Sequence, residues 1–261
     1  MIVIINEKEI PEKLRDFIGA DYYLTYPTQG YTSDVVVINA NRGKYVIKRA
    51  TGTWFRNMLD NEYKVLSSIN VQKISSPCIY EKYEDNEYSW LLMEFIKGET
   101  LRNAIRESTS SQRHKMLVNY GKMLWQIHSQ KIEINNNDDA WIERKLREAQ
   151  YNLDNYRIEG TVGKLNYLKN NKPSMIKEVF IHGDYTIDNV MFYGGEVSGV
   201  IDWGGGTIGD PRYDVALAIR PKDGVFQNSE DVEYFYEGYG GNRITKKAFD
   251  YFQSGGLYDF F

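Results

Sequence analysis

Ile181-His182-Gly183-Asp184-Tyr185-Thr186-Ile187-Asp188-Asn189, followed by Ile201-Asp202-Trp203-Gly204, is the stretch that decides the fold. It sets out an Asp, an Asn five positions later, and a second Asp ahead of Trp-Gly. Val179, Phe180 and Ile181 form a short apolar run ending at His182, as a buried strand delivering a loop does. Two β-rich runs follow, Asn189 to Tyr193 and Glu196 to Ile201. Gly194-Gly195 between them is a two-residue hairpin signal. A hairpin there folds the chain back, so Asn189 at its start and Asp202 just past its end are expected side by side. An amide oxygen and a carboxylate so placed suit a shared metal ion. Stripped of that context, the same pattern is a surface hairpin flanked by solvated acids.

The order Asp, Asn, Asp resembles that of protein kinases, H-R-D-x-x-x-x-N and then D-F-G. His182-Gly183-Asp184 stands in place of His-Arg-Asp, and Gly209-Asp210-Pro211-Arg212-Tyr213-Asp214-Val215-Ala216 follows Ile201-Asp202-Trp203. These residues are similar to the aminoglycoside phosphotransferase and choline kinase-like superfamily of small-molecule kinases. The resemblance covers nearly the whole chain. Tyr258-Asp259-Phe260-Phe261 resembles the ending of aminoglycoside 3'-phosphotransferases. The resemblance implies an α+β, protein-kinase-like two-lobed fold. Residues 1–97 would form a small β-rich, nucleotide-binding lobe, and 98–261 a larger helical lobe with the catalytic loop and the acceptor site. It implies Asp184 as the catalytic residue that orients and deprotonates an acceptor hydroxyl. It implies Asn189 and Asp202 as Mg²⁺ ligands, with ATP or GTP as phosphoryl donor. His182 is expected to brace the loop. Asp214 is expected either to cap the helix it opens or to brace the catalytic loop.

A chain of 261 residues, 42% hydrophobic and 14% aromatic, can fill one large domain or two lobes. The single Cys78 excludes an internal disulfide and suits a reducing cytosol. Residues 2–5 are apolar, but Asn6, Glu7 and Glu9 follow at once, so no signal peptide is expected. No apolar run approaches membrane-helix length. The expectation is a cytoplasmic protein without a membrane partner. A net charge of −4 argues against nucleic-acid binding and is compatible with a polycationic small molecule. Three scattered His and one Cys make no zinc motif.

Tyr22 to Tyr26, Val35 to Ile38 and Lys44 to Lys48 read as strands. Between the first two lies Pro27-Thr28-Gln29-Gly30-Tyr31-Thr32-Ser33-Asp34, in which Gly30, Thr32 and Ser33 could cover phosphates with free backbone N–H groups. An ordinary hairpin loop reads the same way. Tyr45-Val46-Ile47-Lys48 resembles the kinase V-A-I-K strand, whose Lys grips the α- and β-phosphates. Residues 54–69 read as a helix with Phe55, Met58, Leu59, Leu66 and Ile69 on one face. Glu62 falls in the middle of that face. A carboxylate there is costly unless paired, and Lys48 is its natural partner. Trp90 to Ile96 reads as a buried strand ending at Lys97-Gly98. By resemblance, Met93 backs the adenine, while the Glu94 carbonyl and Ile96 amide bond its edge.

Residues 113–128 read as an amphipathic helix ending at a structural His128, with His114 exposed. Asn135 to Asp139 is a polar loop ending in a helix cap before Trp141. By resemblance, an acceptor rich in amines meets carboxylates, here Asp154, Glu159, Asp223, Asp259 and the carboxylate of Phe261. Each of these acids also serves as ordinary surface charge. The chain departs from relatives at Gly205, where some place an Arg that meets the acceptor, and the segment before Val179 is shorter than in typical 3'-phosphotransferases. The leading expectation is phosphorylation of an aminoglycoside antibiotic, giving resistance. The alternatives are a metabolic kinase for choline, homoserine or methylthioribose, and a non-catalytic kinase-like binding module.

Overall fold

The computed structural model describes residues 4–27, 32–69, 74–132 and 139–261. The chain divides into two compact units, one of Met1–Lys97 with Gly199–Gly205, the other of Gly98–Ser198 with Gly206–Phe261.

In the first unit, α1 (Glu12–Ile18) precedes β1 (Tyr22–Thr25), β2 (Asp34–Ala40) and β3 (Gly43–Thr51). Then come α2 (Thr53–Ser68), β4 (Ile79–Glu84) and β5 (Tyr88–Glu94). The strands form an antiparallel sheet in the order β1-β2-β3-β5-β4. Both faces of β3 are covered, so Tyr45 and Ile47 to Ala50 are buried although Lys48 and Arg49 are among them. Tyr45 and Ile47 pack with Leu14, Ile18, Val36, Ile38 and Leu92 on one face. Val46 and Ala50 pack with Leu59, Leu91 and Met93 on the other. Because side chains alternate along a strand, Lys48 shares the second face, toward α2. The expected strands shift at their ends, and β2 and β3 run longer than expected. The first stops at Thr25, and the one expected over Trp90 to Ile96 runs from Tyr88 to Glu94, whose N–H reaches the Cys78 carbonyl at 2.8 Å.

In the second unit, β6 (Glu99–Thr100), α3 (Leu101–Arg106), α4 (Ser110–His128), α5 (Trp141–Asn155) and α6 (Val162–Asn170) come first. They are followed by β7 (Val179–Ile181), β8 (Val190–Tyr193), β9 (Glu196–Val200, whose last two residues belong to the first unit) and β10 (Thr207–Gly209). The unit ends with α7 (Pro211–Ala218), α8 (Ser229–Tyr239), α9 (Lys246–Phe252) and a 3-10 turn at Leu257–Phe260. Trp141, Leu146, Leu165, Leu168, Phe252 and Phe260 build a core shared by α5, α6, α9 and that turn. The hairpin expected from Gly194-Gly195 forms. Both glycines have positive φ, 62° and 82°, which a two-residue turn matching strand twist requires. The helix cap expected before Trp141 does not form. Ala140 holds the cap position without a side-chain bond, and the Trp141 N–H is satisfied by Glu178 Oε1 at 2.7 Å. Residues 135–138 of that expected loop lie outside the described residues.

Candidate active site

In the first unit, the buried face of α2 carries Leu59, Glu62, Val65 and Leu66, so the carboxylate sits within an apolar stripe. Lys48 Nζ donates to Glu62 Oε1 at 2.7 Å and Oε2 at 2.8 Å, and to Asp202 Oδ1 at 2.7 Å. The Trp203 N–H adds a 3.3 Å bond to Glu62 Oε1. The side chains of Lys48 and Glu62 are 10% and 4% exposed, whereas that of Asp202 is 43% exposed. Burial works against the Lys48 ammonium, but Asp202 and Glu62 outweigh it and raise its pKa above the ordinary lysine value. Burial, helped by the nearby Asp202 charge, raises the Glu62 carboxyl despite the pull of Lys48. Asp202 has a φ of +69°, a left-handed conformation that costs energy for a residue with a Cβ. The turn that imposes it is pinned by Asn61 Nδ2 to the Gly204 carbonyl at 2.9 Å and by Trp203 Nε1 to the Val200 carbonyl at 2.8 Å.

In the second unit, β7 pairs antiparallel with β10 and delivers His182 to the loop. Gly183 turns the chain with a φ of +82°, a conformation glycine adopts freely. Asp214, fully buried, accepts the N–H groups of His182 at 2.6 Å and Gly183 at 2.8 Å, and lies 3.2 Å from His128 Nε2. Of the two roles open to Asp214, the brace is the one observed. The cap of α7 is Asp210, which accepts the Arg212 N–H at 2.9 Å. An Asp directly before a Pro at the first helical position is a helix-start signal, and sequence reasoning passed it over. His182 is buried, and its Nδ1 accepts the Asp184 N–H at 3.2 Å, so it does brace the loop. His114 bonds Glu237 at 2.7 Å on the surface.

The Asp184 carboxylate is held within its own loop. Asn189 Nδ2 donates to Asp184 Oδ2 at 2.8 Å and to its carbonyl at 2.9 Å. Tyr258 Oη lies 3.5 Å from the other oxygen, Oδ1. Asp188, next to Asn189, takes a bidentate bond from Arg102 at 2.5 and 2.6 Å, tying the loop to α3. Arg102 was not marked by sequence and Tyr258 only as part of the chain's ending, because nothing local in an isolated Tyr or Arg points to a partner so far along the chain. Asn189 and Asp202 offer oxygen atoms, the donors a hard cation such as Mg²⁺ takes. With its nitrogen fixed on Asp184, Asn189 would offer Oδ1 to such an ion. Among the described residues, no three His, Cys, Asp or Glu side chains gather into a metal cluster.

The other expected residues are more scattered. Thr32 and Ser33 form a half-buried bend ahead of β2, and Gly30 lies outside the described residues. Met93 is buried against Ala50, Leu59 and Leu91. The Glu94 carboxylate accepts the Cys78 N–H at 3.2 Å, and the Ile96 side chain packs on Gly199. Asp154, Glu159 and Asp223 are exposed, and Asp154 accepts bonds from Gln150 at 3.0 and 3.1 Å. Asp259, expected at an acceptor pocket, is instead buried. It pairs with Lys164 Nζ at 2.6 Å and accepts the Gly255 N–H at 2.8 Å. The Phe261 ring lies under the Lys145 ammonium at 4.2 Å.

A lysine fixed by a helix carboxylate and an aspartate clamped by a loop asparagine are the working parts of a kinase-like phosphotransferase. The chain belongs to the phosphotransferase enzyme family, whose model matches residues 24–249. It is 27% identical over 257 residues to an aminoglycoside 3'-phosphotransferase of Niallia circulans, across 93% of this chain and 94% of that protein. It is similar to the crystal structure of an aminoglycoside-3'-phosphotransferase of type VIII, with a TM-score of 0.77, 20% identity, and coverage of 95% and 97% of the two chains. It is also similar to spectinomycin phosphotransferase in complex with ADP and spectinomycin, with a TM-score of 0.62, 16% identity, and coverage of 95% and 84%. The fold is α+β and protein-kinase-like. Among the described residues, no helix is long and apolar enough to cross a membrane.

Proposed function

We propose that the protein transfers the γ-phosphate of ATP, or of GTP, to a hydroxyl of an aminoglycoside, and so confers resistance to that antibiotic in the cytoplasm. The observation that carries this reading is the clamp of Asn189 on Asp184, which fixes the orientation of the carboxylate with a 2.8 Å bond. In the proposed step, the Asp184 carboxylate takes the hydroxyl proton as an oxygen lone pair forms the new bond to the γ-phosphorus. The bond from that phosphorus to the bridging oxygen breaks, and its electron pair leaves with the nucleoside diphosphate. Lys48, oriented by Glu62, holds the α- and β-phosphates, with Gly30, Thr32 and Ser33 in the loop above them. The strand end at Met93, Glu94 and Ile96 receives the base. Mg²⁺ on Asn189 and Asp202 would supply charge neutralisation at the phosphates. Residues 1–97 thereby serve the nucleotide and 98–261 the acceptor. Positioning and charge stabilisation account for the rate. The names of the Niallia circulans relative and of the type VIII structure support the acceptor class.

A second reading, a metabolic kinase for a small alcohol such as homoserine, is favoured by one observation. Burial, followed by the neighbouring Arg220 and Arg102, pulls the Lys222 pKa down, and Asp184 and Asp188 are close enough to oppose that shift. Cations around the catalytic aspartate suit an acceptor that carries an anionic group. A coupled ADP-release assay with streptomycin, gentamicin and spectinomycin, against choline, homoserine and methylthioribose, decides between the two. We expect ADP release on an aminoglycoside. Turnover only on one of the other alcohols would transfer the assignment to the second reading.

A further inference from the structure

Thr186, Ile187, Asp188 and Asn189 form a turn, closed by the Asn189 N–H on the Thr186 carbonyl at 3.1 Å. Arg102, on α3, holds both central residues of that turn. Its backbone N–H reaches the Ile187 carbonyl at 3.1 Å, and its guanidinium donates to Asp188 Oδ1 at 2.5 Å and Oδ2 at 2.6 Å. A helix start leaves its first N–H groups without intrahelical partners, and α3 gives one of them to this turn. A two-pronged bond between guanidinium and carboxylate fixes orientation as well as distance.

The other side of Asn189 hangs from the same segment. β8 begins at Val190, and its Met191 and Phe192 pair with Thr100 and Glu99 of β6. Gly98 lies against the Phe192 carbonyl, where an added Cβ would come within 2.3 Å. Leu101 and Ile105, both buried, seat α3. Residues 98–102 therefore grip the chain before Asn189 and after it. Asn189 itself is buried, with its amide nitrogen on Asp184. The side chains of Arg102 and Asp188 are 23% and 34% exposed, so their pairing adds little to stability. What it contributes is geometry.

We propose that Arg102 is a positioning residue for Asn189: the turn it grips sets where the Asn189 amide oxygen stands to receive Mg²⁺. Arg102 acts through the turn and not on the ion itself. This inference rests on the reading of Asn189 as a Mg²⁺ ligand.

The test is Arg102→Lys in the full chain, which keeps the charge and the backbone N–H but loses the planar fork. Mn²⁺ is titrated into the protein with ADP present, and free Mn²⁺ is read by electron paramagnetic resonance. Asn189→Ala and the double variant complete a cycle. We expect Kd for Mn²⁺ to rise about tenfold in Arg102→Lys, the low end of what is lost with a group that orients a metal ligand. The melting temperature should stay near the wild-type value. In the Asn189→Ala background, Arg102→Lys should change Kd no further, because the ligand it positions is gone. Wild-type Kd in Arg102→Lys overturns the inference, whatever happens to the melting temperature. Equal losses with and without Asn189 also overturn it, since Arg102 would then act by another route. Wild-type Kd in Asn189→Ala overturns both the ligand role of Asn189 and the inference resting on it, while the ADP-release assay still judges phosphoryl transfer on its own.

Discussion

The Lys48 ammonium meets the Asp202 carboxylate at 2.7 Å although 154 positions separate the two residues in the chain. The contact completes a trio of one cation and two carboxylates, two of whose members are almost fully buried. An ion left alone in such a place is expensive, so the partners depend on one another.

Replacing Lys48 with Met therefore leaves Glu62 buried without its cation. We expect a loss of about 3–5 kcal/mol of stability in urea unfolding, together with a large rise in KM for ATP. The lysine pKa is raised in the folded protein, so its contribution is whole below the unfolded value of 10.5 and fades only as pH rises toward the higher folded value. The difference in stability between wild type and Lys48→Met should thus be the same at pH 7 and pH 9. A difference that shrinks by pH 9 would show that the ammonium titrates early and that the trio is not its main support.

Asp202 is the solvent-facing member of the trio, and its strained φ of +69° is held by the Trp203-Gly204 turn. Strain kept in place by a surrounding turn is a mark of function. Asp202→Ala should cripple binding of Mg-ATP in calorimetry, with little rescue by added Mg²⁺. Unchanged affinity and unchanged metal dependence would remove Asp202 from the metal site.

How much of this was legible in the sequence follows from which contacts are local. The hairpin was legible because Gly194-Gly195 is itself the turn. The Lys48–Glu62 pair was legible because a lone Glu in the apolar stripe of α2 demands a cation. The brace by Asp214 was left open, since an Asp at a helix start reads equally as a cap until Asp210 is seen to take that place. The clamp of Arg102 on Asp188 and the approach of Tyr258 to Asp184 bridge elements far apart in sequence. They depend on tertiary packing, and no periodicity or motif announces them. The pairing of Asp259 went unseen for a similar reason. A carboxylate near a motif reads as exposed until its lysine, Lys164 on α6, is known.

Asp184→Asn keeps the shape of the side chain and removes the base. We expect turnover to fall on the order of a hundred- to ten-thousand-fold, with nucleotide affinity nearly unchanged. Single-turnover transfer and ATP titration separate the two quantities. Wild-type kcat would refute the assignment of Asp184.

Asp214 accepts two loop N–H groups and faces His128 from a fully buried position. Asp214→Ala leaves the His182 and Gly183 N–H groups unsatisfied, at about 1–3 kcal/mol each. We expect the melting temperature and kcat to fall together, because the loop that loses its brace is the loop that carries Asp184. Loss of activity at an unchanged melting temperature would instead argue for direct participation in chemistry.

Asp259 and Lys164 offer a test of what the last turn is for. Their side chains are 7% and 29% exposed, so the pair is shielded enough to matter, and Asp259 also receives the Gly255 N–H. If the pair is structural, Lys164→Met and Asp259→Asn should each lower the melting temperature. The double variant should then fall short of the sum, with a coupling of about 0.5–1 kcal/mol. If Asp259 met the acceptor directly, Asp259→Asn would raise acceptor KM while Lys164→Met freed the carboxylate and lowered it. We expect the first pattern, with both variants changing acceptor KM in the same direction if at all. Opposite shifts in KM from the two variants would return Asp259 to the acceptor site and show that Lys164 masks it.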